Sequence, residues 1–356
     1  KPKEKNLSDD RVSFYNSANI SKLSKISFFQ NIADKEITVI KEIHVLNEKQ
    51  NKPLKWKKNP YMGFILKNKF VQKKLLDKIK NITIYDSYVV KSVSDEFNRT
   101  ITLQNGNVIY SNLVIAADGS NSNLRKISSI KYLSHQLNHL AITGYLEIEN
   151  SSDNIARQAF LKEGPIGLLP VMSKRKYVNF VWSVKKDFAS EILEQDNSSL
   201  IICKKLNEFY KKYKLIFYPV RDFTKKRLLK IYKWPLNLIY VPNPISQRLI
   251  LIGDAAHSIH PLAGQGFNLA LEDCFEVFNV LEKSILLGKD FGHDDNISMY
   301  NQKRNIRVKL ISFSTSALFY TFTQKSKILN ENLSKGMEYL NETNLKNIFI
   351  KIANGF

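Results

Sequence analysis

In its last third the chain reads Arg248-Leu-Ile-Leu-Ile-Gly-Asp-Ala-Ala-His-Ser-Ile-His-Pro-Leu-Ala-Gly-Gln-Gly-Phe-Asn-Leu-Ala-Leu-Glu-Asp273. The aliphatic run from Leu249 to Ile252 is too short for a helix and stops at Gly253-Asp254, which favours a strand buried on both faces. Asp254 then lies at the carboxyl end of that strand, where open α/β sheets collect ligands. The run therefore predicts an α/β fold with a binding site at this strand end.

The loop after this strand carries two glycines in Pro261-Leu-Ala-Gly-Gln-Gly266, which let the backbone come close to a flat ligand. A helix is predicted to begin near Phe267 or Asn268, and its apolar positions are Leu269, Leu271, Phe275, Phe278 and Leu281. The amide groups and the positive dipole end of that helix favour partial negative charge. A carboxylate on one side and donors on the other suit a flavin, whose ribityl chain carries hydroxyls and whose ring edge becomes negative on reduction.

From Gly253 to Leu269 the sequence closely resembles the second flavin motif of the FAD-dependent aromatic hydroxylases, and most of all that of the ubiquinone-biosynthesis hydroxylases. The resemblance implies that Asp254 binds ribityl hydroxyls and that Pro261 lies over the flavin ring beside the substrate. It also implies that the 261–266 loop and the amides of 267–269 hold the pyrimidine edge. The implied cofactor contacts in this run are Gly253, Asp254, Gly264, Gln265, Gly266, Phe267 and Asn268.

One position in the same helix departs from the family. Glu272 lies where the family commonly has an arginine, so the contact made by that arginine is not expected here. A glycine-rich connection between a strand and a helix in some other α/β protein is the simpler alternative for the whole run.

A second run, Leu113-Val-Ile-Ala-Ala-Asp-Gly-Ser-Asn-Ser-Asn-Leu-Arg125, repeats the pattern. A buried strand ends at Asp118, Gly119 follows, and small polar residues lead to a helix that carries Arg125. This run resembles the Asp-Gly motif of the flavin hydroxylases. The resemblance implies that Asp118, Gly119 and Arg125 lie near the FAD diphosphate and are tied to the use of a nicotinamide nucleotide. A plain turn is the alternative.

Two further candidates come from the first part of the chain. Arg11, in Asp9-Asp10-Arg11, resembles the arginine of the family's Asp-x-Arg segment, which implies a contact with the diphosphate; a solvated surface arginine is the alternative. Asn68 precedes a helix predicted at about 69–80 and resembles the asparagine of the family's Gly-Tyr segment, which implies a place near the flavin. A helix N-cap is the alternative for Asn68.

The first nucleotide-binding unit of the family has no counterpart in this sequence. A dinucleotide site normally opens with a strand, Gly-x-Gly-x-x-Gly and a helix, and no such fingerprint occurs between Lys1 and Phe356. We expect that the sequence lacks its true start, and that the cradle for the adenosine half of FAD is missing with it. A diverged member that no longer binds FAD is the alternative.

The remaining pattern predicts the fold class. Strands are predicted at 37–46, 53–56, 82–85, 89–93, 99–103, 108–110, 140–149, 157–161 and 177–184, with a hairpin signal at Asn105-Gly106. Helices are predicted at 192–213, 296–322 and 325–340. The resemblance implies a p-hydroxybenzoate hydroxylase-like α/β fold, in which a Rossmann-like FAD-binding domain is interleaved with an antiparallel substrate domain. The expected boundaries are 1–80, 105–130 and 240–290 for the FAD-binding domain, 81–104 and 131–239 for the substrate domain, and 291–356 for a C-terminal helical region.

Composition and charge exclude several classes of function. The net charge of +21 is spread along the chain, which argues against nucleic-acid binding and allows weak attraction to anionic lipid. No apolar run approaches the ~20 residues of a membrane span. Cys203 and Cys274 are too few for a disulfide framework and suit a reducing compartment. We expect a cytoplasmic protein that can touch the inner membrane from its surface.

Other kinds of active site find little support in the sequence. His257 and His260 are three residues apart, but no further set of Cys or carboxylate ligands accompanies them, so no metal site is predicted. Ser120 and Ser122 lack the Gly-x-Ser-x-Gly elbow of hydrolases. No Gly-x-x-x-x-Gly-Lys-Ser/Thr phosphate loop occurs either.

The resemblance implies a FAD-dependent monooxygenase that uses NAD(P)H and O2 to hydroxylate a polyprenylated phenol on the way to ubiquinone. The cofactor supplies the hard chemistry, and the protein positions the ring and excludes water. No acid or base that activates the phenol can be named. Two alternatives stay open: another FAD oxidoreductase, such as a prenyl-chain reductase, and a flavin-free scaffold of a ubiquinone-biosynthesis complex.

Overall fold

The computed structural model describes residues 11–48, 52–79, 82–152, 154–171, 176–222, 227–228 and 231–323. Its strands are β1 (Val12–Asn16), β2 (Thr38–Ile40), β3 (Glu42–Asn47), β4 (Leu54–Lys57), β5 (Gly63–Lys67), β6 (Val89–Ser94), β7 (Arg99–Leu103), β8 (Val108–Ser111), β9 (Val114–Ala116), β10 (Leu133–Glu149), β11 (Ile155–Leu161), β12 (Gly164–Val171), β13 (Tyr177–Lys185), β14 (Ile216–Pro219), β15 (Arg221–Asp222), β16 (Arg227–Leu228), β17 (Tyr232–Tyr240), β18 (Ile245–Ser246), β19 (Leu249–Leu251) and β20 (His257–Ser258). Its helices are α1 (Ser17–Lys25), α2 (Asn68–Lys78), α3 (Asn123–Ile127), α4 (Lys186–Leu193), α5 (Ser198–Tyr210), α6 (Gln265–Leu286) and α7 (Asp294–Thr323).

The two runs singled out by sequence form neighbouring parallel strands. β19 is fully buried, as the aliphatic run predicts, and it pairs in parallel with β9 in the register Leu249 opposite Val114. On its other side β19 pairs with β18. Because parallel strands end at the same edge of a sheet, the turn after β19 and the turn after β9 lie side by side. The α/β expectation is confirmed.

A larger sheet forms the second layer of the molecule. Its strands follow the order β20-β17-β10-β13-β12-β11-β3-β4, and β14 also pairs with β10. All of these pairs are antiparallel except β11 with β3. Alternate residues of β10, β11 and β13 pack against α4 and α5 in one apolar cluster around Trp182. Trp182 is fully buried and its Nε1 donates to the carbonyl of Gly164 at 3.0 Å, so its polar end is satisfied inside the core.

A small sheet of β6, β7 and β8 covers the strands β9 and β19. The hairpin signal at Asn105-Gly106 is confirmed: β7 pairs with β8, and Gly106 adopts a φ of 87°, which suits glycine. Ile101 and Leu103 share an apolar cluster with Leu249 and Leu251. The expected boundary between 104 and 105 therefore falls inside one hairpin that packs as a unit.

The start of the chain contributes to both layers. β1, β5 and β2 form a three-stranded sheet of their own, whereas β3 and β4, inside the range 1–80 expected for the FAD-binding domain, extend the large sheet instead. The division into domains stays a prediction, and strand pairing argues that 42–57 belongs with the substrate layer and 89–104 with the layer of β9 and β19.

Several local predictions need correction. No strand forms at 82–85, where the chain is irregular and Ile82, Ile84 and Tyr85 are exposed. A strand there would need a partner for its backbone groups, and no described strand pairs with this segment. The helix predicted at 192–213 is two helices, α4 and α5, because the polar residues at 194–197 form a turn between them. Strand β12 forms at 164–171, where no strand was predicted, and β10 begins seven residues earlier than its prediction, at Leu133.

The C-terminal helices are covered in part. α7 confirms the helix predicted at 296–322 and packs against α6. The helix predicted at 325–340 and the apolar run at 348–352 lie outside the described residues. In the part of the chain that is described, no helix combines the length and the apolar character that crossing a membrane requires.

Candidate functional site

A cavity of about 610 Å³ opens between the two layers. The ends of β9 and β19, the start of α6, the strand β1 and one face of the large sheet enclose it. This volume lies within the ~300–1,000 Å³ typical of cofactor sites. The predicted site residues that line it are Arg11, Asn68, Gly119, Gly253, Asp254, Pro261, Gly264, Gly266 and Phe267.

Asp254 is the carboxylate at the carboxyl end of β19, as predicted. It follows Gly253, whose φ of 56° lies in the left-handed region and whose added Cβ would come within 3.2 Å of the Ala270 Cβ. The Asp254 side chain is open to solvent, but it sits on the cavity wall, and this enclosure raises its pKa, although the charges of His257 and Arg11 act in the opposite direction. The carboxylate is therefore placed to accept hydrogen bonds from hydroxyl groups of a ligand.

The N-terminus of α6 faces the same cavity. α6 begins at Gln265, two residues before the predicted start, because Gly264 takes a left-handed φ of 61° and acts as its N-cap residue. The N–H groups in the first turn of a helix have no acceptor within the helix, so a helix N-terminus favours a ligand that carries partial negative charge. Gly266 and Phe267 line the cavity, whereas the Gln265 side chain is buried away from it.

The Asn268 side chain has a structural role. Its Oδ1 accepts from the Asn16 backbone N–H at 2.9 Å and from Asn19 Nδ2 at 3.0 Å, and its Nδ2 donates to the carbonyl of Phe14 at 2.8 Å. Asn268 is fully buried and does not line the cavity. It ties α6 to β1 and α1, so any contact it makes with a cofactor comes from its backbone.

The opposite wall of the cavity is the face of the large sheet. Pro261 lies on the loop side, and the sheet contributes mostly apolar side chains, namely Ile43, Ala156, Leu169 and Val181. Two polar residues of β11 also line this face: Arg157, whose Nη1 donates to the carbonyl of Ile155 at 3.2 Å, and Gln158, whose Nε2 donates to the carbonyl of Ile166 at 3.1 Å. A mostly apolar wall with a few polar groups suits a flat aromatic ligand that carries few polar groups.

In the turn after β9, Asp118 and Arg125 make hydrogen bonds within the protein. Asp118 Oδ2 accepts from the N–H groups of Asn123 and Leu124, at 2.8 and 3.1 Å, so the carboxylate caps the start of α3. Arg125 is only 1% exposed and donates to the carbonyls of Ser120 and Ala255, each at 2.7 Å. Gly119 lines the cavity, but neither Asp118 nor Arg125 does. The Arg125 guanidinium is therefore directed to these two carbonyls and not to the cavity, and its contact with the FAD diphosphate stays a prediction.

Arg11 and Asn68 both reach the cavity, as expected. The Arg11 guanidinium lies 4.6 Å from the ring centroid of Trp234, which leaves an exposed cation beside the cavity. Asn68 Oδ1 accepts from Ser13 Oγ at 2.7 Å. The N-cap alternative for Asn68 is wrong, since Lys67 holds that position and Asn68 is the first residue of α2.

Sequence reasoning missed a buried ionic network behind the site. Asp273 Oδ2 lies 2.6 Å from His257 Nε2, and Asp273 Oδ1 accepts from Arg304 Nε at 2.7 Å. Glu272, the departure from the family pattern, accepts from Arg304 at 2.8 Å and from Arg307 at 3.2 Å. Two consecutive acids between apolar positions of α6, and two arginines three residues apart on the next helix, were the signals that could have revealed it.

His257 and His260, which are spaced three residues apart in the sequence, have separate surroundings. His257 faces Asp273, whereas His260 stacks on Phe319 with the ring centroids 4.2 Å apart. Neither ring nitrogen of His260 has a hydrogen-bond partner among the described residues, and burial, followed by the charge of His139, lowers its pKa to about 3. Among the described residues no group of three or more His, Cys, Asp or Glu side chains could hold a metal ion.

These residues fit the flavin half of FAD. The carboxylate of Asp254 matches ribityl hydroxyls, the first turn of α6 matches the pyrimidine edge, and the Arg11 cation matches a phosphate. Glycines at 253, 264 and 266 keep side chains out of the space beside the loop.

Comparisons with known proteins agree with this geometry. A family model described as FAD binding domain matches residues 90–312. The chain is 28% identical over 344 residues to the ubiquinone biosynthesis monooxygenase COQ6 of Dictyostelium discoideum, covering 83% of this chain and 68% of that protein. It is 29% identical over 233 residues to the human COQ6 protein, covering 57% of this chain and 48% of that protein. The chain therefore spans about half to two thirds of the length of these relatives.

Solved structures share the fold at low identity. PqsL of Pseudomonas aeruginosa matches with a TM-score of 0.73 at 16% identity, over 94% of this chain and 90% of that one. HpxO of Klebsiella pneumoniae, solved with FAD and uric acid, matches with a TM-score of 0.70 at 16% identity, over 96% of this chain and 86% of that one. The expected interleaving of an α/β layer with an antiparallel sheet is thereby confirmed as a fold.

Proposed function

The chain belongs to the FAD binding domain family, and we propose that it acts as a FAD-dependent monooxygenase that hydroxylates a polyprenylated phenol in ubiquinone biosynthesis, with NAD(P)H and O2. The observation that carries this proposal is the single cavity in which Asp254, the first turn of α6 and Pro261 face an apolar sheet. The names of the COQ6 relatives supply the substrate class.

Each residue around the cavity has a role in this proposal. Asp254 accepts hydrogen bonds from the ribityl chain, the amides of the first turn of α6 hold the pyrimidine edge, and Arg11 contacts the diphosphate. Bound FAD supplies the redox chemistry that activates O2. Pro261 and the sheet face hold the phenol ring against the flavin and exclude water from it, which protects a reactive oxidant from side reactions.

The substrate end of the cavity also favours a phenol. Gln158 lies on a mostly apolar face, so its amide can hydrogen-bond a ring hydroxyl while Ile43, Leu169 and Val181 pack against the ring. Asn68 and Ser13 form a second polar pair at the cavity edge. A substrate with a long prenyl chain must come from a membrane, and the net charge of +21 favours approach to anionic lipid.

Location and partners extend the proposal. The COQ6 relatives are named as mitochondrial proteins, and the cytoplasmic location expected from sequence stays a prediction for this chain. Membership of a ubiquinone-biosynthesis complex and peripheral contact with a membrane also stay predictions.

The test uses the full-length protein as its gene encodes it. We expect a yellow protein that oxidises NAD(P)H faster when a prenylated phenol is present, and that inserts one atom of labelled dioxygen into the product. A colourless protein that takes up no FAD when FAD is in excess would contradict the proposal. Reduction of the prenyl chain without oxygen insertion would assign the protein to the prenyl-chain reductases instead.

A further inference from the structure

Behind the cavity wall, one carboxylate holds the loop that carries Asp254. Asp273 lies on α6 with no exposed surface, and its Oδ2 accepts from the Gly253 N–H at 2.9 Å and bonds His257 Nε2 at 2.6 Å. Its Oδ1 accepts from Arg304 Nε, on α7, at 2.7 Å. Gly253 and His257 both lie within three residues of Asp254. The Asp273 side chain therefore holds the backbone before Asp254 and the side chain of a residue after it.

We propose that Asp273 is a positioning residue that sets the Gly253-Asp254 turn against the cavity, and that Arg304 is the counter-ion of its carboxylate. This inference rests on the proposed function, because it assigns the means by which the flavin loop is held. The inference adds Asp273 of α6 and Arg304 of α7, which lie outside the flavin motif at 253–269.

The chemistry of a buried carboxylate supports this role. An ionised carboxylate without water is costly unless it is paired and hydrogen-bonded, and here three donors surround one side chain. Although burial raises the pKa of Asp273, His257 and Arg304 offset that effect and hold it below its usual value. The carboxylate stays charged, and a charged acceptor holds an N–H more firmly than a neutral one does.

The conformation of Gly253 explains why the hydrogen bond from its N–H to Asp273 affects the position of Asp254. Its left-handed φ of 56° turns the chain at the end of β19, and this turn decides where the next side chain points. The Gly253 N–H is the backbone donor at the turn, and Asp273 takes it. Without that acceptor the N–H would be buried and unpaired, so the turn would relax and carry Asp254 with it.

Glu272 provides a matched control within the same network. It is also buried on α6, and its hydrogen bonds among the described residues go to Arg304 and Arg307 of α7 and not to the loop. Removing its charge therefore weakens the attachment of α6 to α7 without releasing Gly253 or His257. Comparison of Asp273→Asn with Glu272→Gln separates a role in holding the loop from a role in holding the helices together.

The first measurement needs no flavin. In Asp273→Asn we expect hydrogen exchange in the segment 252–264 to become about 10-fold faster, and the ¹⁵N signal of the His257 imidazole to move, because its carboxylate partner is gone. In Glu272→Gln the melting temperature should fall while loop exchange and the His257 signal stay as in the parent. Equal changes in the two variants would overturn the proposal, since they would show a purely structural role.

The second measurement titrates FAD into the full-length protein and follows flavin fluorescence. We expect the dissociation constant to rise about 10-fold or more in Asp273→Asn, and less than about 3-fold in Glu272→Gln. An unchanged affinity in Asp273→Asn would overturn the proposal. If the parent protein binds no flavin, the proposed function fails, and the exchange and imidazole measurements still decide whether Asp273 holds the loop.

A milder variant guards against loss of folding. Should Asp273→Asn not fold, His257→Gln removes one of the two loop contacts and leaves the Gly253 bond in place. We then expect faster exchange at 252–264 and an affinity for FAD that is about 5-fold weaker. Parent values in both measurements would overturn the proposal.

Discussion

Two neighbouring strand ends in this protein share one sequence pattern and put it to different uses. β19 and β9 are parallel partners, and each leads through an aspartate and a glycine towards a helix. After β19, Asp254 faces the cavity and α6 runs for 22 residues. After β9, Asp118 caps the five-residue helix α3 and stays off the cavity wall.

The difference depends on which group satisfies the start of the helix. At α3 the amides of the first turn are taken by Asp118 and by Ser122, whose Oγ accepts from the Arg125 N–H at 3.0 Å. At α6 the N-cap residue is Gly264, which has no side chain to cap the helix, and Gly266 and Phe267 of the first turn line the cavity. A strand-end aspartate therefore predicts a ligand contact only when the following helix does not take its carboxylate.

The largest effect that separates the two ends is expected from Asp254→Ala. Loss of a charged acceptor for ribityl hydroxyls should weaken FAD binding by about 100-fold, since hydrogen bonds to charged groups contribute ~1.5–3 kcal/mol each. Folding stability should hardly change, because the side chain is exposed and makes no hydrogen bond to the described protein that anchors the loop. Fluorescence titration and thermal melting measure the two quantities. Equal loss of flavin affinity in Asp118→Ala would contradict the distinction between the two ends.

Arg125→Met tests the link between the ends. The Arg125 guanidinium joins the two turns through the carbonyls of Ser120 and Ala255, and it lies 4.3 Å from the ring centroid of Tyr132. Its removal leaves two carbonyls without donors, so the free energy of unfolding should fall by about 2 kcal/mol. Denaturant unfolding measures this loss, and Lys126→Met, a surface neighbour, serves as the control. A stable variant with lost flavin affinity would show instead that Arg125 is a ligand.

The strands and turns of the site were predictable from sequence because their signals are local. A few neighbouring residues determine the local conformation in three places: the aliphatic run at Leu249, the hairpin at Asn105-Gly106 and the glycine loop at 264–266. The turns after β9 and β19 also lie side by side as expected, because parallel strands end at the same edge of a sheet.

The side-chain roles were less predictable, because they depend on partners far along the chain. Asn268 bonds residues about 250 positions earlier, and Asp273 bonds an arginine 31 positions later. The extra length of β10, which begins at Leu133, comes from its pairing with β17 and is not visible in its own alternation. The strand predicted at 82–85 failed for the opposite reason: its apolar residues find no pairing partner.

Acid should also affect the two ends differently, because only the β19 end carries His260. The unfolded imidazole binds a proton near 6.5, whereas the folded one, buried on Phe319, has a pKa of about 3. Between these values the unfolded chain holds more protons, so stability falls as the pH falls, by up to ~1.4 kcal/mol per pH unit. In His260→Phe this slope should be smaller. Unfolding curves between pH 7 and 5 check it, and identical slopes in variant and parent would contradict the burial of a neutral ring.

The smallest effect is expected from Asp118→Ala at the β9 end. Loss of a carboxylate that accepts two helix amides should lower the free energy of unfolding by about 1 kcal/mol, as for other helix caps. Asp118→Asn keeps an oxygen acceptor and should recover part of this loss, whereas both variants should bind FAD within about 3-fold of the parent. The pair of measurements decides what the aspartate does: a loss of flavin affinity without a loss of stability would make it a ligand, as Asp254 is proposed to be, and the two strand ends would then serve one site in the same way.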